Sequence, residues 1–135
     1  MKRMIPTLLM MTLLLTGCAA PAPTSGTEAN TYRQISMQEA VEMMEKEKSY
    51  IILDVRTEQE YAAGHIPGAI VIPNETIGTE EIPQLSDKDQ LIMVYCRSGN
   101  RSKQASDKLV KLGYTNIVEF GGIIDWPGET VSGME

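Results

Sequence analysis

A run of five apolar residues, Leu91-Ile92-Met93-Val94-Tyr95, passes without a spacer into Cys96-Arg97-Ser98-Gly99-Asn100-Arg101 and then into a helical pattern. The run is short, lacks polar alternation and ends on small and polar residues. It therefore reads as a strand buried on both faces, the kind found in parallel sheets. Downstream, a helix is expected from near Ser102, with Ala105, Leu109 and Leu112 on one face and Gly113 as its C-terminal stop. Parallel strands need crossover connections, so a buried strand feeding a helix through one short loop commits the chain to βα units.

The rest of the sequence repeats that alternation. Ser36 followed by Glu39 is a capping-box pattern, and Met37, Ala40, Val41 and Met44 continue it at i, i+3, i+4 and i+7. Tyr50 to Leu53 is a second apolar run, ending at Asp54. Thr57 and Glu60 form a second capping box and predict a short helix. Ala69 to Ile72, closed by Pro73, predicts another strand, and Asn116 to Glu119 the last. The polar stretch from Asn74 to Gln90 reads as loop with room for one helical turn, and Gly121-Gly122 with Trp126-Pro127 as closing turns. Strands alternating with helices predict an α/β fold, a parallel sheet with helices on both faces, over residues 32–133. At 135 residues the chain holds one such domain.

The N-terminus reads as an address. Lys2 and Arg3 precede an apolar run from Met4 to Leu15, 12 residues long. A bilayer span needs about 20, so residues 1–17 are expected to be a signal peptide rather than a transmembrane anchor. The run ends in Leu15-Thr16-Gly17-Cys18, which resembles the bacterial lipobox; that resemblance implies cleavage before Cys18 and lipid on its sulfur. Cleavage near Ala20-Pro21-Ala22 is the alternative, and leaves the Leu-Thr-Gly-Cys match unexplained. Residues 18–31, rich in Ala, Pro, Thr and Ser, are expected to be a flexible tether. The expected location is extracytoplasmic, at the membrane of a bacterial envelope.

Charge and side-chain inventory exclude whole classes of chemistry. Formal net charge is −6; without Lys2 and Arg3 the 12 basic residues fall to 10 against 18 acidic, a balance of −8. Nucleic acid is thereby excluded as a partner, because phosphate binding rests on clustered Lys and Arg. Two cysteines and one histidine make no metal cluster, and no cofactor is expected.

Two strands end in reactive or charged groups: one at Asp54, with Arg56 just after it, the other at Cys96. In open parallel sheets ligands gather beyond the carboxyl ends of the strands, so two parallel strands here are expected to bring Asp54, Arg56 and Cys96 to face one crevice. Curling of the segment from Cys96 to Ser102 turns its amides toward one central sulfur or anion at the helix N-terminus. That terminus, with Arg97 and Arg101, is expected to lower the cysteine pKa and make Cys96 a nucleophile. The plainer reading of Cys96, a buried structural thiol, calls for apolar surroundings. Asp54 and Arg56 read as a structural ion pair or as supports for the loop. His65, in a turn with Pro67 and Gly68, reads as structural, since a thiolate with a lowered pKa needs no base. Trp126 reads as packing.

Three segments together resemble the rhodanese family, over nearly all of residues 32–130. Leu53-Asp54-Val55-Arg56, continuing through Glu60-Tyr61 to Gly64-His65-Ile66-Pro67-Gly68-Ala69, is similar to its N-terminal signature. Cys96-Arg97-Ser98-Gly99-Asn100-Arg101 is similar to its six-residue active loop, and Gly121-Gly122 with Trp126 to its closing motif. The resemblance implies a sulfurtransferase: Cys96 takes a sulfane sulfur from a donor such as thiosulfate, becomes a persulfide, and passes the sulfur to cyanide or a thiol. It implies that the loop residues Arg97, Ser98, Gly99, Asn100 and Arg101 bind substrate. Two other readings compete. A related tyrosine-phosphatase type places five residues between cysteine and arginine, whereas four separate Cys96 from Arg101. A non-catalytic surface binding module or redox-sensing thiol is the third reading, which the presence of Cys96 weakens.

Overall fold

Both expected capping boxes form. The Ser36 hydroxyl accepts from the Glu39 amide at 3.1 Å while the Glu39 carboxylate accepts from the Ser36 amide at 2.7 Å. Thr57 and Glu60 make the same reciprocal pair at 3.1 and 2.9 Å. Each box satisfies two amides that a helix start otherwise leaves open. They set the entries of α1 (Met37–Lys46) and α2 (Glu58–Ala63). The structure, a computed structural model, describes residues 31–134. The expected signal segment, Cys18 and all but the last residue of the tether lie outside the described residues.

Around these helices run β1 (Arg33–Gln34), β2 (Ile51–Asp54), β3 (Ile70–Val71), β4 (Ile92–Cys96), α3 (Asn100–Lys111) and β5 (Ile117–Gly122). The five strands make one sheet in the order β1-β5-β4-β2-β3, every neighbouring pair parallel. The fold is thus the expected α/β architecture. The order turns back between β2 and β4: β3 continues on one side of β2 and β4 lies on the other. This is the kind of crevice in which parallel sheets bind ligands.

Alternation of side chains along each strand feeds two cores, one per face. Leu53, Val94, Cys96 and Ile117 point to the face covered by Ala105 and Leu109 of α3. Ile52, Met93, Tyr95, Val118 and Phe120 point to the face covered by Ala40 of α1 and Tyr61 of α2. The middle of β4 is buried without exception, as its unbroken apolar run requires.

The structure shifts several expected boundaries. Helix α3 begins at Asn100, two residues before the expected start near Ser102, because Gly99 takes a left-handed φ of 110° and turns the chain directly into the helix. Strand β5 runs on to Gly122. The segment from Asn74 to Gln90 holds two 3-10 turns, Asn74–Thr76 and Pro83–Leu85. Strand β1 is an addition: two exposed polar residues that join the sheet only through β5.

Candidate active site

The N-terminus of α3 has no side-chain cap of its own, since Gly99 stands at the capping position. The sulfur of Cys96, the last residue of β4, takes that place. The Gly99 amide donates to Cys96 Sγ at 3.0 Å, and the amides of Ser98 and Ser102 also act on the sulfur. A helix start that would ordinarily be satisfied by a Ser or Asp oxygen is instead turned onto a thiol. Ser102 Oγ lies 3.4 Å from Sγ on the same side. Burial alone pushes the Cys96 thiol up. The Ser102 hydroxyl and the amides of Ser102, Gly99 and Ser98 outweigh it and hold the thiol below its ordinary value.

The loop keeps this curl because of what lies beneath it. A Cβ on Gly122 would stand 1.9 Å from the Arg97 carbonyl oxygen and 2.5 Å from the Ser98 nitrogen, so only glycine admits the loop there. The Arg97 carbonyl accepts from the Ile124 amide, just past the end of β5. Ser102 also touches β5: its hydroxyl is 2.7 Å from Glu119 Oε1, which accepts the Gly121 amide at 2.8 Å. The C-terminal strand is therefore the bed of the Cys96 loop.

Arg101 leaves the loop rather than closing it. Its guanidinium donates to both carboxylate oxygens of Glu60, at 2.7 and 3.0 Å, tying the start of α3 to α2. That contact holds the Glu60 carboxyl down to about 2, chiefly through the Arg101 hydrogen bonds and against the opposing effect of burial. Arg97, Ser98 and Asn100 are exposed, while Gly99 is buried.

Comparison with known proteins places this geometry. Residues 36–128 match the Rhodanese-like domain family. The chain belongs to the rhodanese family. It is 33% identical over 107 residues to thiosulfate sulfurtransferase GlpE of Pseudomonas entomophila, covering 76% of this chain and 94% of that protein. Against the putative sulfur carrier protein YrkF of Bacillus subtilis it is 31% identical, covering 78% of this chain but only 57% of that longer protein. The solved structure of a rhodanese with anions from E. coli superposes with a TM-score of 0.57 at 35% identity, over 63% of this chain and 100% of that one.

Within this rhodanese domain the remaining sequence-predicted residues fall into place away from the sulfur. Asp54 and Arg56 share the carboxyl edge of the sheet with Cys96 but not its face. Asp54 accepts from Arg56 Nη2 at 2.6 Å and from the Tyr95 hydroxyl at 2.7 Å, and Tyr95 points opposite to Cys96. Arg56 spends its remaining reach on the Gly64 carbonyl at 2.8 Å. The expectation that both strand ends face one crevice is thus corrected by strand alternation: adjacent residues of β4 serve opposite faces. His65 is buried, stacks on Tyr61 with ring centroids 3.6 Å apart, and its Nδ1 donates to the Tyr61 carbonyl at 2.8 Å. Trp126 Nε1 donates to the Glu129 carbonyl at 3.0 Å.

Cys96 itself sits deeper than a surface loop implies, at 1% exposure. Its place in the apolar core does not leave it in purely apolar surroundings, because the Gly99 amide and Ser102 also reach the sulfur. Sequence reasoning missed three residues of the site: Ser102, Glu119 and the role of Gly122. The available signal was Glu119, a lone charge inside the apolar pattern Ile117-Val118-Glu119-Phe120, which a buried strand does not carry without a partner.

Proposed function

We propose that this rhodanese moves a sulfane sulfur from thiosulfate to a thiophilic acceptor through a persulfide on Cys96. The observation that carries the reading is the free thiol seated at the helix start, inside a ring of amides and one hydroxyl. In the first step the Cys96 thiolate attacks the outer sulfur of thiosulfate. The new Sγ–S bond forms as the S–S bond of the donor breaks, and sulfite leaves with that electron pair. The terminal sulfur of the persulfide keeps one negative charge. The surrounding donors hold an anionic sulfur, the same preorganisation that serves an oxyanion in acyl transfer. In the second step cyanide or a thiolate attacks the terminal sulfur, its bond to Sγ breaks, and the electron pair returns to Cys96 as thiolate. Two covalent half-reactions imply ping-pong kinetics. Thiosulfate as donor is supported by the name of the Pseudomonas relative, and a small anionic donor by the loop amides.

A phosphatase is disfavoured by Arg101. In a cysteine phosphatase the arginine closing the loop clamps phosphate, whereas here Glu60 occupies the guanidinium. We further propose that lipid on Cys18 tethers the domain by residues 18–31 outside the cytoplasm, supported by the Leu15-Thr16-Gly17-Cys18 match.

The test uses the full chain. Thiosulfate treatment should add the mass of one sulfur at Cys96, and cyanide should remove it as thiocyanate. Cys96→Ser should fold, since the change is close to isosteric, and form thiocyanate only at background rate. Thiocyanate formation by Cys96→Ser near the parent's rate would end the persulfide reading.

A further inference from the structure

Apolar packing does not explain Glu119. It is a charged residue at 3% exposure, on β5 between Val118 and Phe120, and it faces α3. Its Oε1 reaches the Ser102 hydroxyl at 2.7 Å, and that hydroxyl reaches Cys96 Sγ at 3.4 Å. Three side chains from three elements thus form one line ending on the nucleophile.

A hydroxyl has a single hydrogen to give and two lone pairs. Around Ser102 Oγ stand three oxygen acceptors, Glu119 Oε1 at 2.7 Å, the Gly99 carbonyl at 2.9 Å and the Gly121 carbonyl at 3.4 Å, besides the sulfur. While Cys96 is a thiol it is a donor: its hydrogen goes to Ser102 Oγ, and the hydroxyl hydrogen goes to the carboxylate. Once the sulfur is a thiolate it becomes an acceptor and competes with Glu119 for that one hydrogen. A hydrogen bond to a carboxylate is charge-assisted and about twice as strong as a neutral one, and stronger again when buried.

We infer that Glu119 is a positioning residue for the nucleophile, its carboxylate holding the Ser102 hydroxyl hydrogen in the thiol and persulfide forms and yielding it only to the thiolate. In the persulfide the charge sits on the outer sulfur, so Sγ no longer competes and the Ser102–Glu119 bond re-forms. The carboxylate therefore favours the loaded enzyme over the bare thiolate. It also keeps the thiolate a stronger base, and so a stronger nucleophile, than the amides and the Ser102 hydroxyl would leave it without the carboxylate. Other charges bear on the same sulfur. Arg101 of α3 is electrostatically coupled to it, and Glu60 of α2 and Glu75 of the first 3-10 turn act on Arg101 in turn. Arg97 adjoins it in sequence, and the Asp54–Arg56 pair lies on the opposite face. Substituting Glu119 leaves all of these in place.

The purpose assigned to Glu119 rests on the sulfur-transfer reading, but its test does not, because alkylation needs no sulfur donor. The pH dependence of iodoacetamide modification at Cys96 would be followed by peptide mass spectrometry in the full chain. Glu119→Gln should lower the midpoint by about one pH unit, and Ser102→Ala should raise it. In the Ser102→Ala background the Glu119→Gln shift should shrink by at least half, since the hydroxyl that transmits it is gone. If Glu119→Gln does not fold, as judged by its thermal melt, Glu119→Met, similar in shape and uncharged, takes its place with the same expectation. An unchanged midpoint, or an equal shift with and without the Ser102 hydroxyl, overturns the proposal.

Discussion

Two buried polar clusters sit side by side at the carboxyl edge of the sheet, and they are built on opposite principles. At the end of β2, Asp54 receives the backbone amide, Nε and Nη2 of Arg56 and the hydroxyl of Tyr95. Burial on its own would lower the Arg56 guanidinium, and the Asp54 carboxylate more than reverses it; burial and Asp54 together push the Tyr95 hydroxyl well up. Charges there meet opposite charges and matched donors. At the end of β4 the balance is uneven: the amides of Ser98, Gly99 and Ser102 converge on one sulfur, with the Ser102 hydroxyl placed between it and Glu119. A surplus of donors around a thiol costs stability and is useful only if an anion is made there. Burial of ionisable groups is common to both clusters and so does not mark the site; the unmatched donors do.

The largest expected effect comes from unbalancing the matched cluster. Asp54→Ala leaves the Arg56 guanidinium buried without its carboxylate, which costs on the order of 3–5 kcal/mol. Denaturant titration should show that loss. Turnover per folded molecule should stay near the parent's, because the Cys96 ring is on the other face. A variant that kept its stability, or lost activity while still folded, would erase the contrast between the clusters.

The unmatched cluster should break through shape. Gly122→Ala places a methyl 1.9 Å from the Arg97 carbonyl oxygen, so the Arg97–Ser98 peptide must move and the Gly99 amide must leave Sγ. Overpacking of this kind costs about 1–3 kcal/mol in stability, and thiosulfate turnover should fall much further than that loss explains. Gly78→Ala is the control, since its Cβ would meet nothing within 4 Å. Equal turnover in the two variants would show that the bed under the loop does not shape it.

What could be read from sequence follows the reach of each interaction. The β4–loop–α3 unit was legible because strand, turn and helix start are contiguous and each carries its own signal. Both capping boxes were legible for the same reason. The Ser102–Glu119 contact joins residues 17 apart and has no local signature beyond a charge in an apolar run. Strand β1 has no signature at all: its two exposed residues, Arg33 and Gln34, pair only because β5 offers an open edge. Placing Asp54 beside Cys96 was right for the edge and wrong for the face, a distinction that turns on strand register and the side-chain alternation of β4.

The Arg101–Glu60 pair, which links α3 to α2, should contribute least and sharpens the comparison by being part-exposed. About a third of each side chain is accessible, 31% and 33%, so solvent screens the pair and its worth is at most about 1 kcal/mol. Glu60 is lowered from 4.5 to about 2 in the folded protein. A depressed carboxyl pKa means that the unfolded chain binds more protons as the pH falls. The stabilisation is therefore complete above about 4.5 and is lost as the pH drops toward 2. Arg101→Ala should be slightly less stable than the parent at neutral pH, and the gap should close across that acid window and narrow with added salt. The same substitution removes a cation coupled to Cys96, so the thiol should titrate somewhat higher, by less than in Ser102→Ala. A stability gap independent of pH would mean that Arg101 acts by packing its stem rather than by charge. A thiol midpoint raised more by Arg101→Ala than by Ser102→Ala would return the loop arginine to the role that the amides and the hydroxyl hold here.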